Sequence, residues 1–142
     1  MDFSKIDLSK FQHSMPIQIR FVDIDLAGHV NNATLLSYFE TERVAFFNEL
    51  IGKTNNWKQR GLVIARTEID YVKSIYLDDK IKVYSRISHL GTKSFKVENV
   101  LMKEENGIEV LASIASFVIV CIDAEKNITI EIPQEWKDKM KV

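Results

Sequence analysis

Ser94-Phe95-Lys96-Val97-Glu98-Asn99-Val100-Leu101-Met102-Lys103-Glu104-Glu105-Asn106-Gly107-Ile108-Glu109-Val110-Leu111-Ala112-Ser113-Ile114 carries a period of two on both sides of a turn. Phe95, Val97 and Leu101 share one parity, and Ile108, Val110, Ala112 and Ile114 share another. Asn106-Gly107 is the dipeptide favoured where both central residues of a two-residue hairpin need positive φ. The expected strands are 94–104 and 108–122. Working outward, Gly91-Thr92-Lys93 separates this hairpin from an expected strand at 80–90, in which Ile81, Val83 and Ile87 stay in register. Asp78-Asp79, a weaker turn signal, precedes it. Before that, 62–76 alternates, with Ile69 and Tyr71 opposite Glu68 and Asp70. A short strand near 128–132 and a terminal helix from Pro133 follow the hairpin.

The amino-terminal part differs in period. Ile17, Ile19 and Phe21 alternate with Gln18 and Arg20 and read as a first strand over 17–22, which Met15-Pro16 enters. A polar loop runs from Asp23 to Asn32. Leu35, Leu36, Phe39, Phe46, Phe47 and Leu50 then recur at helical spacing to Leu50, and Asn31 or Asn32 is the expected cap. Tyr38, Val44 and Ala45 widen the apolar surface, so this helix is expected to be covered on most sides. Gly52 is its expected stop. The strands run to about 10–14 residues, where about 5–6 is usual, and long strands twist and coil. A coiled antiparallel sheet of that kind can wrap a single helix. The expected class is α+β.

The chain has 142 residues, of which 46% are hydrophobic and 27% charged, with Gly 5 and Pro 2. That composition excludes disorder and low-complexity architectures and fits a single domain over 1–142. The net charge of -1 lacks the basic excess of a nucleic-acid binder, so no nucleic-acid partner is expected. Cys121 is the only cysteine, which excludes an internal disulfide and a Cys-based zinc site. The amino-terminal stretch from Met1 to Phe11 mixes charged with apolar residues and shows no leader pattern. No apolar run approaches a membrane span of about 20 residues. The expected location is the cytoplasm.

Chemistry concentrates between the first strand and the helix. Asp23, Asp25, His29, Asn31 and Asn32 fall within ten residues. Loops held by rigid elements are where catalytic groups gather. A helix start adds free N–H groups and a positive dipole end, which polarise a carbonyl and stabilise an oxyanion. A carboxylate beside them can attack a carbonyl or deprotonate water. The set suits acyl transfer to water. Read singly, each residue also has a plain structural role as a cap, turn or loop hydrogen-bonder. Asp23 and Asp25 with His29 could also form part of a hard-metal site, for which further ligands are not evident.

Asp23-Ile24-Asp25-Leu26-Ala27-Gly28-His29-Val30-Asn31-Asn32, followed by Tyr38-Phe39-Glu40-Thr41-Glu42-Arg43, resembles the signature of the 4-hydroxybenzoyl-CoA thioesterase-like branch of hotdog acyl-CoA thioesterases. The His-Val-Asn-Asn variant is also similar to acyl-ACP thioesterases. Ile69-Asp70-Tyr71, Asp78-Asp79 and Gly91-Thr92-Lys93-Ser94 extend the likeness over about 16–136. The resemblance implies a hotdog fold, a long central helix wrapped by a curved antiparallel sheet of about five or six strands. It implies a thioester hydrolase that cleaves acyl-CoA or acyl-ACP to acid and thiol. No metal and no cofactor is implied, CoA being part of the substrate. Asp25 matches the catalytic carboxylate, as nucleophile or general base. The backbone N–H of Asn32 matches the oxyanion donor, with His29 and Asn31 in support and Asp23 structural.

Glu40 lies ~12 Å along an ideal helix from Asn32, too far to contact that amide within one subunit. Glu40, Glu42 and Arg43 are expected to pair on the helix surface or at an interface. The resemblance further implies a homodimer or homotetramer with a shared sheet and active sites between subunits. If CoA is the thiol carrier, Arg66, Lys73, Lys82, Lys93 and Lys96 are the candidate phosphate partners. Where family members often carry a proline after the tyrosine of the second strand, this chain has Tyr71-Val72. The rival readings are a dehydratase or hydratase on the same fold, which would need an acid–base pair along the helix, and a non-catalytic acyl-CoA-binding module.

Overall fold

Asn31 starts the long helix, α1 (Asn32–Leu50), by accepting a hydrogen bond from the Ala33 N–H through its side chain at 2.8 Å. Gly52 ends it at φ 96°, with its N–H on the Asn48 carbonyl. The structure is a computed structural model that describes residues 6–52 and 55–142, so Met1–Lys5 of the amino-terminal stretch lie outside the described residues. The strands are β1 (His13–Ile17), β2 (Arg60–Tyr71), β3 (Ile81–Leu90), β4 (Ser94–Glu105), β5 (Ile108–Asp123) and β6 (Ile128–Thr129), followed by a short α2 (Gln134–Lys137). They form one antiparallel sheet in the order β1-β3-β4-β5-β2, with β6 on β5. The β4–β5 turn is the expected hairpin: Asn106 and Gly107 both have positive φ, 52° and 77°.

The curled sheet packs α1 against its inner face. Leu35, Tyr38, Phe39, Phe46 and Phe47 of the helix meet Val83, Ile87, Phe95, Val97, Leu101, Phe117 and Ile119, all buried. Cys121 is fully buried in β5. On the outer face Val100, Met102 and Ile114 form a smaller cluster that Ile6, Leu8 and Phe11 cover. Among the described residues no helix is long and apolar enough to cross a membrane.

Several boundaries move. The first strand is His13–Ile17, not 17–22, and Pro16 lies inside it. Its partner β3 begins at Ile81, opposite Ile17, so the alternating residues beyond have nothing to pair with. Pro16 is tolerated because β1 is an edge strand. β2 ends at Tyr71 rather than 76; the Val72 and Lys73 N–H groups both turn onto the Ala112 carbonyl, and Ile75 serves the loop before α1. β2 also breaks register between Ile64 and Arg66, a bulge in an edge strand. β6 is shorter than 128–132, and Pro133 caps α2 instead of occupying its first turn.

The helix surface departs furthest from expectation. Leu36 and Val44 are exposed, so α1 is covered on one side only. Glu42 and Arg43, expected on the surface or at an interface, are buried. The Glu42 carboxylate takes hydrogen bonds from His13 of β1, Ser85 of β3 and Asn99 of β4, which is what lets it sit inside. His13 also reaches Glu49 at 3.2 Å. Burial pushes the Glu42 carboxyl up, and these hydrogen bonds only partly reverse that.

Candidate active site

The loop before α1 is a small hairpin built on backbone bonds. Ile24 and Val30 pair, the Asp25 N–H donates to the His29 carbonyl at 3.0 Å, and the Gly28 N–H donates to the Asp25 carbonyl at 3.0 Å. Gly28 takes φ 90°, which favours glycine at this turn. The Val30 N–H donates to the Ile75 carbonyl at 2.7 Å, which fastens the loop to the segment after β2.

Asp23 anchors the loop from inside. Its buried carboxylate accepts from Tyr38 Oη at 2.6 Å, from the Arg20 N–H at 2.9 Å and from Arg20 Nη2 at 3.1 Å. Burial raises its pKa, but the Tyr38 and Arg20 hydrogen bonds outweigh it and hold the carboxyl below its ordinary value. Tyr38 is pushed up by burial and by its carboxylate neighbour. With both oxygens engaged inward, Asp23 is not aimed at a metal shared with Asp25. Among the described residues no three His, Cys, Asp or Glu side chains gather as metal ligands.

Asp25 faces outward and is partly exposed. Its Oδ1 accepts from the Ala27 N–H at 2.9 Å and lies 3.8 Å from His29 Nδ1. That leaves the imidazole beside the carboxylate without a direct hydrogen bond. His29 packs edge-on to Tyr76, with ring centroids 6.3 Å apart. The amide oxygen of Asn31 is committed to the helix cap. The Asn32 N–H has no partner among the described residues and sits at the positive end of α1. His29, Asn32, Tyr71 and Lys73 border a cleft of about 140 Å³. Asp25 is not part of that lining.

The loop thus brings Asp25, His29 and Asn32 to one end of the helix. Asp23, expected to be structural, is part of its frame, whereas its partners Arg20 and Tyr38 do not stand out in the sequence as part of the site. The helical pattern counts Tyr38 as apolar surface, although a tyrosine on a buried helix face needs a partner for its hydroxyl. Tyr71 Oη donates to the Asn32 carbonyl at 3.4 Å and joins the end of β2 to the start of α1. Of the basic candidates only Lys73 borders the cleft, and its Nζ is held by Glu105 at 3.1 Å. Arg66 pairs with Glu68, and Lys82 lies over the Tyr84 ring.

A single helix wrapped by a curled antiparallel sheet, with a carboxylate loop at the helix start, is a hotdog-type arrangement. The model of the thioesterase-like superfamily matches residues 19–140, and the chain belongs to that superfamily. It is 26% identical over 132 residues to the acyl-CoA thioesterase YbgC of Haemophilus influenzae, covering 87% of this chain and 90% of that one. It is 30% identical over 86 residues to the uncharacterized protein YsmA of Bacillus subtilis, where the match spans 61% of this chain and 58% of that one. Among solved structures, a thioesterase of Thermus thermophilus complexed with coenzyme A and zinc matches at a TM-score of 0.79 and 29% identity, over 92% of each chain.

Proposed function

We propose that the protein hydrolyses acyl-CoA thioesters, with Asp25 as the catalytic carboxylate and the Asn32 N–H as the oxyanion donor. The observation that carries this reading is the unpartnered Asn32 N–H at the start of α1, beside a loop that presents a carboxylate. Asp25 accepts a proton from water as the water oxygen bonds to the thioester carbonyl carbon. The carbonyl oxygen becomes an oxyanion that the Asn32 N–H stabilises. Collapse breaks the C–S bond, and the proton passes to the departing thiolate, giving a free acid and a thiol. Direct attack by the Asp25 carboxylate through an acyl-enzyme anhydride gives the same products. His29 shapes the site from 3.8 Å. Relatives named for acyl-CoA favour that carrier over an acyl carrier protein.

The same reading includes a homodimer. β2 is an edge strand exposed along most of its length, with Val63, Ile64 and Tyr71 showing apolar surface. A second copy laid along it would join two sheets into one and hide that edge. The test is an acyl-CoA panel from acetyl to palmitoyl, with aryl thioesters included and thiol release as the readout. Release from at least one class is expected. Tight binding of acyl-CoA with no release from any member would overturn the hydrolase and leave a binding module.

A further inference from the structure

Lys103 is a buried lysine on β4, a strand interior to the sheet. It shares the parity of Phe95, Val97 and Leu101, which face the helix, so an ammonium stands where the pattern of the strand calls for an apolar side chain. Its Nζ donates to the Ser74 carbonyl at 2.9 Å and to Asp79 Oδ2 at 3.3 Å. It also lies 3.6 Å from Glu105 Oε1 and 5.3 Å from the centroid of the Tyr76 ring. Of these groups Ser74, Tyr76 and Asp79 belong to one turn, between β2 and β3. The turn is closed on itself: Asp79 Oδ2 accepts the Tyr76 N–H at 2.7 Å, and the Asp79 N–H donates to the Tyr76 carbonyl at 3.0 Å. One compact cation with several donors thus clips this turn to the rigid middle of the sheet.

The same turn touches the loop before α1 at two points. The Ile75 carbonyl takes the Val30 N–H at 2.7 Å, and the Tyr76 ring meets His29 edge-on. Val30 stands between His29 and the helix start at Asn32, and Ser74 and Ile75 line the cleft with Asn32. A path of direct contacts therefore runs from Lys103 through Ser74–Asp79 to both sides of Val30. A buried charge pair is weak as a source of stability, since an apolar side chain of similar volume often serves as well. What the ammonium adds is a fixed position for the turn.

We propose that Lys103 is a positioning residue for thioester hydrolysis: it fixes the Ser74–Asp79 turn and, through Ile75 and Tyr76, the placement of His29 and the Asn32 N–H. The proposal rests on the thioesterase reading above. Lys103 itself does not touch the substrate. An oxyanion donor displaced by about 1 Å can cost about 10²-fold in rate, so a small slip of the turn is enough to be felt.

The test is Lys103→Met, which keeps much of the side-chain volume and removes the charge. The kcat for the best acyl-CoA should fall about tenfold or more, with KM within about twofold of wild type. Amide hydrogen exchange gives a readout that needs no substrate. Exchange at Val30 should quicken by about tenfold more than at Val97, in the sheet interior, because the loop opens locally. Asp79→Asn, at a partly exposed position, serves if Lys103→Met does not fold. It keeps an oxygen for the Tyr76 N–H but turns its NH2 towards the ammonium, and the same changes are expected at about threefold. Unchanged kcat in a folded variant would overturn the proposal. So would exchange at Val30 that only keeps pace with Val97, which would make Lys103 a stabiliser of the whole fold. A raised KM at constant kcat would also overturn it, by making Lys103 a binding residue. No thiol release from the wild-type protein is a different failure, that of the thioesterase reading, and the exchange measurement tells the two apart.

Discussion

Tyr38 Oη lies 2.6 Å from Asp23 Oδ2, with both side chains buried, and this bond ties the second turn of α1 to the loop that carries Asp25. Asp23 is thus the internal post of the loop. Asp25, two residues later, is the carboxylate left facing outward.

Tyr38→Phe removes one hydrogen bond from a buried carboxylate that otherwise depends on Arg20, and is expected to cost about 1–3 kcal/mol at neutral pH. Asp23 has a folded pKa below its ordinary value of 3.8, so its contribution is present above that value and is lost as pH falls through the lower folded one. The stability gap between wild type and Tyr38→Phe should therefore narrow in acid. Denaturant melts at pH 7 and at about pH 3 check this; a gap that widens in acid would contradict it.

Asp25→Asn should keep the fold, since only Asp25 Oδ1 makes a described bond and a carboxamide oxygen can replace it. Turnover of the best acyl-CoA should fall by roughly 10²-fold or more in kcat, because a carboxamide can act neither as base nor as nucleophile. Steady-state kinetics alongside a melting curve separate the two effects. Near wild-type turnover in a folded variant would reassign Asp25 to the turn.

Glu42 shifts the other way. Its folded pKa is raised above 4.5, chiefly by burial, so its favourable linkage is present below that value and is lost as pH rises through the folded one. Glu42→Gln keeps one acceptor oxygen, for the Ser85 and Asn99 side, turns its NH2 to His13, and never ionises. Its stability relative to wild type should rise between acid and neutral pH. Glu42→Ala leaves His13, Ser85 and Asn99 facing a hole and should lose about 3 kcal/mol or more. Urea titrations across about pH 4–8 report both.

The β2 edge gives a prediction about assembly. Sedimentation at micromolar concentration should show a species at least twice the 16.4 kDa chain mass. Ile64→Lys, beside the bulge on the exposed edge, should shift it towards monomer and reduce activity together. A fully active 16.4 kDa wild-type species would exclude a site shared between copies.

Salt separates the two ends of the substrate. If exposed cations such as Lys73 hold the CoA phosphates, raising salt screens them, with a Debye length of about 8 Å at physiological strength. KM for acyl-CoA should rise while kcat stays nearly constant. The same acyl group on a pantetheine-like thiol, which lacks the nucleotide, should start at a higher KM and respond little. Identical responses would show that the nucleotide is not read.

The four long strands were legible because their alternation is local and Asn106-Gly107 marks a turn by its own backbone preference. The first strand lies ahead of the alternating stretch for a non-local reason. Ile17 to Val22 alternates well, yet β3 ends its pairing at Ile81, and a strand needs a neighbour as much as a pattern. The outward-facing loop residues Asp25, His29 and Asn32 stood out as a chemical set within one short segment. The burial of Glu42 did not, because its partners lie 29, 43 and 57 residues away. Charge alone reads as surface until those partners are placed. Tyr38–Asp23 and Tyr71–Asn32 are likewise contacts between elements, and neither spacing advertises them.

Cys121, alone of its kind and sealed in β5, has a thiol that burial pushes up to about 11. Thiolate is the reactive form, so a colorimetric thiol reagent should pass over the native protein. Free CoA then gives the whole signal in a turnover assay, with no blank from the protein. The same silence makes Cys121 a clock: its labelling rate counts the openings of the sheet that surrounds it, and a ligand that stabilises the folded state will slow it.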